Sequence, residues 1–156
     1  MINLASIQLY KEPLMMKIYE ILAAKGNQVW SIASDQLVYT AIEMMAEKEV
    51  GALIVTEQDA LAGIISERDY TRKVILKGKS SREILVKEIM TEKVVVAHDQ
   101  LKVDECLAMV SEFKVRHLPV MDGDRVIGMV SMGDLVKSII DEQKFVIDQL
   151  EQYIRG

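Results

Sequence analysis

Gly63-Ile64-Ile65-Ser66-Glu67-Arg68-Asp69 returns as Gly128-Met129-Val130-Ser131-Met132-Gly133-Asp134, each residue 65 positions after its counterpart. The same offset carries Val38, Ala41, Ile42 and Met44 onto Val103, Cys106, Leu107 and Met109, and Leu53-Ile54-Val55 onto Leu118-Pro119-Val120. Upstream it shortens to 64, because Asp35-Gln36-Leu37 matches Asp99-Gln100-Leu101 and the second copy gains Lys102. A repeat of this period means two structural units, each with an incomplete apolar face that the other covers. At 156 residues the whole chain has the size of one ordinary domain, so the copies read as a single fused module.

Outward from the motif, helix and strand signals alternate. In the first unit Val29 to Ile32 reads as a strand, Leu37 to Lys48 as a helix, Ala52 to Thr56 and Leu61 to Ser66 as strands, and Glu67 to Leu76 as a helix. The second unit repeats the order with Val94 to Ala97, Val103 to Phe113, His117 to Met121, Val126 to Ser131 and a helix from Gly133 onward. Gly123 suits the positive φ of the hairpin turn Met121-Asp122-Gly123-Asp124. Gly78 to Arg82 reads as a turn and Arg82 to Met90 as a short connecting helix. Residues 4 to 25 look helical, with a break near Pro13 and a stop at Gly26. The expected organisation is an N-terminal helical segment (1–26), two units (27–84 and 85–140) and a C-terminal helix (141–156). Over the tail from Ser138 to Ile154, Ile140, Ile147 and Ile154 keep a heptad spacing, so its stripe needs a partner, either the chain's own core or a second subunit.

Half the residues are hydrophobic and only two are proline, which suits a compact chain rather than a disordered one. The single cysteine, Cys106, sits in an apolar helical stripe and reads as a buried structural thiol. No apolar stretch approaches the roughly 20 residues needed to cross a bilayer, and no secretory signal pattern opens the chain. The expected location is the cytoplasm. A net charge of -5, with no basic arm, argues against nucleic acid as a partner. The dense basic region from Arg68 through Arg72, Lys73, Lys77, Lys79 and Arg82 is local, and its plain reading is a solvated helix face.

No Ser/His/Asp frame, Walker-type loop, paired catalytic carboxylates or Gly-x-Gly-x-x-Gly fingerprint occurs, so no catalytic activity is expected. Glu67 adjoins Ser66, yet consecutive residues at a helix start point in different directions. His98 and His117 have no third ligand at zinc-like spacing, and Met15-Met16 and Met44-Met45 read as adaptable packing, so no metal is expected.

In Gly-x-x-Ser-x-x-Asp the glycine permits close approach of a neighbour, and Ser66 or Ser131 falls where strand becomes helix. Free N–H groups and the positive helix end make such a junction an anion site. One turn on, Asp69 or Asp134 offers two oxygens suited to vicinal ribose hydroxyls. A single copy would read as an ordinary serine N-cap with a favoured first-turn aspartate, and the duplication is what favours a ligand.

Both Gly-x-x-Ser-x-x-Asp segments, the stretch Arg116-His117-Leu118-Pro119-Val120-Met121-Asp122, and the β-α-β-β-α order together resemble paired cystathionine-beta-synthase (CBS) domains, which bind adenine nucleotides. More narrowly, Ser66 through Val74, Gly78-Lys79-Ser80-Ser81-Arg82 and Ile89-Met90-Thr91 look like small stand-alone CBS-pair proteins of bacteria and plant organelles. The resemblance implies an α/β (α+β) fold of two tandem units packed sheet to sheet about a pseudo-twofold axis, with two clefts between them and terminal helices outside.

By the same resemblance the first cleft would combine Ser66, Arg68 and Asp69 with Val94, Val95, Arg116 and His117. Asp69 would hold the ribose, Ser66 the first phosphate, and Arg68, Arg116 and His117 the charge. Arginine's planar fork suits phosphate oxygens. The second cleft would pair Ser131 and Asp134 with Val29 and Trp30. It has Gly133 where the first has Arg68, and Gly51 and Ala52 opposite Arg116 and His117, so its basic residues are expected to be missing. Phosphate-rich ligands should prefer the first cleft. The implied ligand is AMP, ADP, ATP or NAD, with no required cofactor, in a homodimer that signals to an effector protein. The alternative is an oligomerisation adaptor with vestigial clefts.

Overall fold

A computed structural model describes residues 16–155. The helical reading of the chain around and before Pro13 lies outside that range. The elements run α1 (Ile18–Lys25), β1 (Ser31–Ala33), α2 (Val38–Lys48), β2 (Ala52–Glu57), β3 (Ala60–Ser66), α3 (Glu67–Lys73), a 3-10 turn (Ile75–Lys77), α4 (Val86–Ile89), β4 (Ala97–His98), α5 (Val103–Phe113), β5 (His117–Asp122), β6 (Arg125–Ser131) and α6 (Met132–Arg155). Two three-stranded sheets, β1-β2-β3 and β4-β5-β6, each have one parallel and one antiparallel pairing. The fold is α+β, built twice.

Period-two burial sorts each sheet into two faces. Leu53, Val55 and Ile65 face the helices of the first unit, and Leu118, Val120 and Val130 those of the second. Ile54 and its counterpart Pro119 lie outside both helix-side clusters and are nevertheless buried. The faces turned from the helices are therefore covered as well, and cavities lined by strands of both units lie along that seam.

The two cores do not follow chain order. Ile18, Ile21 and Leu22 of α1 pack into the second unit's core, whereas Val86 and Ile89 of α4 complete the first. Matching hydrogen bonds fix both: Val103 N–H to Met16 O and Val38 N–H to Ile84 O, each 3.0 Å. Each unit thus borrows the segment that precedes the other in sequence. The 84/85 division falls inside the segment that closes the first core, and α6 crosses residue 140 without a break.

Three elements are shorter than their sequence signals. Val94 to Ala97 was expected as a strand, yet only Ala97 and His98 pair. The cause is Pro119: in the first unit Ile54 N–H donates to Trp30 O at 3.0 Å, and proline at the equivalent place has no N–H to offer Val95. The helix expected to reach Leu76 ends at Lys73 and tightens into the 3-10 turn, stopped by Gly78 at φ 68°. The connecting helix expected over Arg82 to Met90 is confined to Val86–Ile89.

Candidate functional site

Each repeated motif ends a strand and caps a helix. Ser66 Oγ accepts Asp69 N–H at 3.2 Å, while Asp69 Oδ2 accepts Ser66 N–H and Oγ–H, both at 3.0 Å. Ser131 and Asp134 repeat the exchange at 3.1 and 2.8 Å. The glycine of each motif lets a neighbour close in: a Cβ on Gly63 would sit 2.7 Å from Thr91 O, and one on Gly128 2.6 Å from Leu22 Cδ2.

The free helix-end N–H groups expected from the sequence are largely used. Glu67 N–H donates to Gly51 O and Met132 N–H to Arg116 O, at 3.1 and 2.9 Å, beside the capped amides of Asp69 and Asp134. Side-chain charge, rather than the helix end, must therefore supply any attraction for an anion.

The first cleft, about 470 Å³, brings together Ser66, Arg68, Asp69, Val94, Val95, Arg116 and His117, every residue assigned to it from sequence. Around them stand Arg72, Lys73, Lys93 and Lys114, giving six basic side chains against the acids Glu67 and Asp69. Arg68 Nη1 reaches across the seam to Lys114 O at 3.1 Å, and its Nε is buried with no partner among the described residues. Asp69 is almost fully buried, and its other oxygen, Oδ1, takes Lys73 Nζ at 3.0 Å and Thr91 Oγ1 at 3.3 Å. A carboxylate accepts about four hydrogen bonds, so any further donor would have to displace Lys73 or Thr91.

The second cleft, about 350 Å³, brings Trp30, Ser131 and Asp134 together with Gln28, Glu49, Gly51, Ala52 and Met129. Val29 is not among its lining residues. It lines a separate cavity with Ser31, Ile54 and Thr56, because neighbours along an extended segment face opposite ways. Nor is the cleft without a lysine, as the sequence suggested. Lys25, at the end of α1, donates to Asp134 Oδ2 at 2.7 Å and to Met129 O at 2.9 Å. The repeat could not reveal it, since the residue 65 places on is Met90. Burial works to raise the Asp134 carboxyl, but the bonds from Lys25 and Ser131 hold it below the usual carboxylate value.

His117 lines both clefts, with its Nε2 3.4 Å from where a Cβ on Gly51 would stand. Burial lowers its basicity first of all. Asp134 and Glu67 pull the other way, and Lys25 and Arg116 add to the lowering. Cys106 is fully buried in the second core, where burial and then Glu105 and Asp104 push its thiol up to about 11. It is a packing residue there.

Of the residues that line the clefts, Lys93, Lys114, Thr91, Gln28, Glu49 and Lys25 were not singled out from sequence. The strand register, Ile32 opposite Val55 and Ala97 opposite Val120, restores the offset of 65 before the shift at Asp35 and so pairs Lys93 with Gln28, as Lys114 pairs with Glu49, a signal legible only once the structure is known.

Fold and site together define a duplicated β-α-β-β-α module with two pseudo-equivalent clefts at its seam. The chain belongs to the CBS domain family, whose model matches residues 25–75 and 86–141. It is 40% identical over 139 residues to the CBS domain-containing protein CBSX3, mitochondrial, of Arabidopsis thaliana, covering 86% of this chain and 67% of that protein. A solved protein with CBS domains from Burkholderia ambifaria MC40-6 superposes with a TM-score of 0.79 at 46% identity, covering 82% of this chain and 96% of that one. The fold is also that of the CBS domain pair of protein MJ0100, solved in complex with 5'-methylthioadenosine and S-adenosyl-L-methionine (TM-score 0.73, 23% identity, 82% and 98% covered). The chain is thus a small CBS-pair protein. Among the described residues no helix is long and apolar enough to cross a membrane.

Proposed function

We propose that this protein is a non-catalytic regulatory module that binds an adenine nucleotide, AMP, ADP, ATP or NAD, in the first cleft. AMP is the leading ligand. One observation carries the reading: six basic side chains surround a single cleft whose lining holds two acids, Glu67 and Asp69. A phosphate entering it would neutralise several of them, and Arg68 and Arg116 offer the planar fork that suits its oxygens. The adenosine ligands of the MJ0100 pair, whose fold this chain shares, support a purine nucleoside as the remainder.

Binding at the seam would touch both units at once, through Arg68, Arg116 and His117, and so bias their packing. The response is limited by how differently the two packings bind the nucleotide. An effector protein would read that change in the cytoplasm, where such nucleotides circulate. For assembly we propose a homodimer. Val136, Ile140, Ile147, Leu150 and Ile154 form an exposed apolar stripe along one face of α6, the kind of continuous surface that a second copy can cover. Ile147→Asp should halve the mass in sedimentation equilibrium, and an unchanged mass would discard this face.

Thermal unfolding with and without nucleotide tests the principal reading. At a hundredfold excess over the dissociation constant, binding to the folded state adds about 2.7 kcal/mol of stability. A midpoint unmoved by AMP, ADP, ATP and NAD would favour an oligomerisation adaptor instead.

A further inference from the structure

α6 extends past the module that anchors it. Leu135 and Ser138 are buried, Ile139 packs on the second core, and Glu142 Oε1 accepts Met16 N–H at 2.8 Å. Beyond that bond every residue from Gln143 to Arg155 is exposed. At 1.5 Å per residue this segment is a helix of about 20 Å with no cover among the described residues. Isolated helices of that length are marginal in water, so the segment calls for a second surface.

The side chains identify that surface. Gln143, Ile147, Leu150 and Ile154 follow one another at alternating steps of four, three and four, the spacing of a coiled-coil seam. Lys144 and Glu151 flank the seam on one side, one heptad apart, and Val146 and Tyr153 flank it on the other. Two copies laid antiparallel, with Ile147 level with the partner's Leu150, bring Lys144 beside the partner's Glu151 and Val146 beside the partner's Tyr153. The twofold axis makes each contact twice.

The same charges fix the register. Sliding the pair by one heptad in one direction sets Lys144 against the partner's Lys144, and in the other direction Glu151 against the partner's Glu151. Like charges across an interface oppose both shifts. A parallel pair in register would instead place Val146 beside the partner's Glu151, with no ion pair along the seam. The segment is thus complementary to itself in one orientation and one alignment.

We infer that residues 143–155 of α6 pair antiparallel with the same segment of a second copy, in the register that joins Lys144 to the partner's Glu151. The two modules then stand at opposite ends of the helix pair. This rests on the homodimer reading above and adds its orientation and register.

Sedimentation equilibrium of the full chain tests it. Lys144→Glu and Glu151→Lys should each raise the dimer dissociation constant about fivefold or more, because each turns two exposed ion pairs into repulsions. The double variant exchanges the charges and should return to within about twofold of the parent, a coupling expected only of side chains in contact. Both side chains are exposed, so the modules stay folded in every variant. A parent dimer whose dissociation constant neither single change alters, or single losses that the double variant does not recover, overturns the pairing and leaves the homodimer to another face. A parent that stays monomeric overturns the homodimer reading as well.

Discussion

Arg68 Nη1 donates to the main-chain oxygen of Lys114 at 3.1 Å, tying the first turn of α3 in one unit to the left-handed end of α5 in the other. At the equivalent place in the second cleft Gly133 has no side chain with which to reach the main-chain oxygen of Glu49. The seam is therefore clasped on one side, and the clasp is also the proposed phosphate ligand.

Arg68→Ala should lower AMP affinity at least tenfold, the effect of losing one charge-assisted hydrogen bond of about 1.5–3 kcal/mol. Arg68→Lys should recover only part of it, since an ammonium group lacks the planar fork. Titration calorimetry of both variants measures the difference. Equal affinities for the alanine variant and the parent would remove Arg68 from the site.

His117 makes stability depend on pH. Because burial holds its basicity below the ordinary value of 6.5, the unfolded chain binds a proton on this ring where the folded chain does not. Its contribution is complete above 6.5 and is lost as the pH falls from there toward the folded value. Urea midpoints between pH 7.5 and 5.5 should fall more steeply for the parent than for His117→Gln. A phosphate beside the ring would restore its basicity, so AMP binding should take up a fraction of a proton that the glutamine variant does not.

The two motif glycines differ in what surrounds them. A methyl group on Gly63 meets the main-chain oxygen of Thr91 at 2.7 Å, where Ile64 and Thr91 exchange two backbone bonds. On Gly128 it meets the end of the Leu22 side chain, which can turn away. Gly63→Ala should cost about 1–3 kcal/mol, the usual range for overpacking, and Gly128→Ala less. Denaturant titration that ranks them the other way would contradict this account of the seam.

Ile18 is fully buried in the second unit although it precedes the first in sequence. Ile18→Ala should therefore destabilise the fold by about 2–5 kcal/mol, as for other large-to-small core changes. A dispensable N-terminal appendage would lose almost nothing, and chemical denaturation separates the two outcomes.

The sequence by itself determined the duplication and the order of elements, because those features repeat at a fixed offset and follow the periods of strand and helix, whereas the residue set of the first cleft came from the resemblance to CBS pairs. Ser66, Asp69, Arg116 and His117 stood at motif positions whose chemistry is local: a cap, a carboxylate one turn on, a basic pair before a strand. Tertiary structure decided what depends on contacts between distant segments. It shortened β4, because Pro119 withholds an N–H from Val95. It assigned α1 to the second core and α4 to the first, because each unit's apolar face is completed by the segment before the other. It also brought Lys25 to Asp134 from 109 residues away, a contact that no period in the chain encodes.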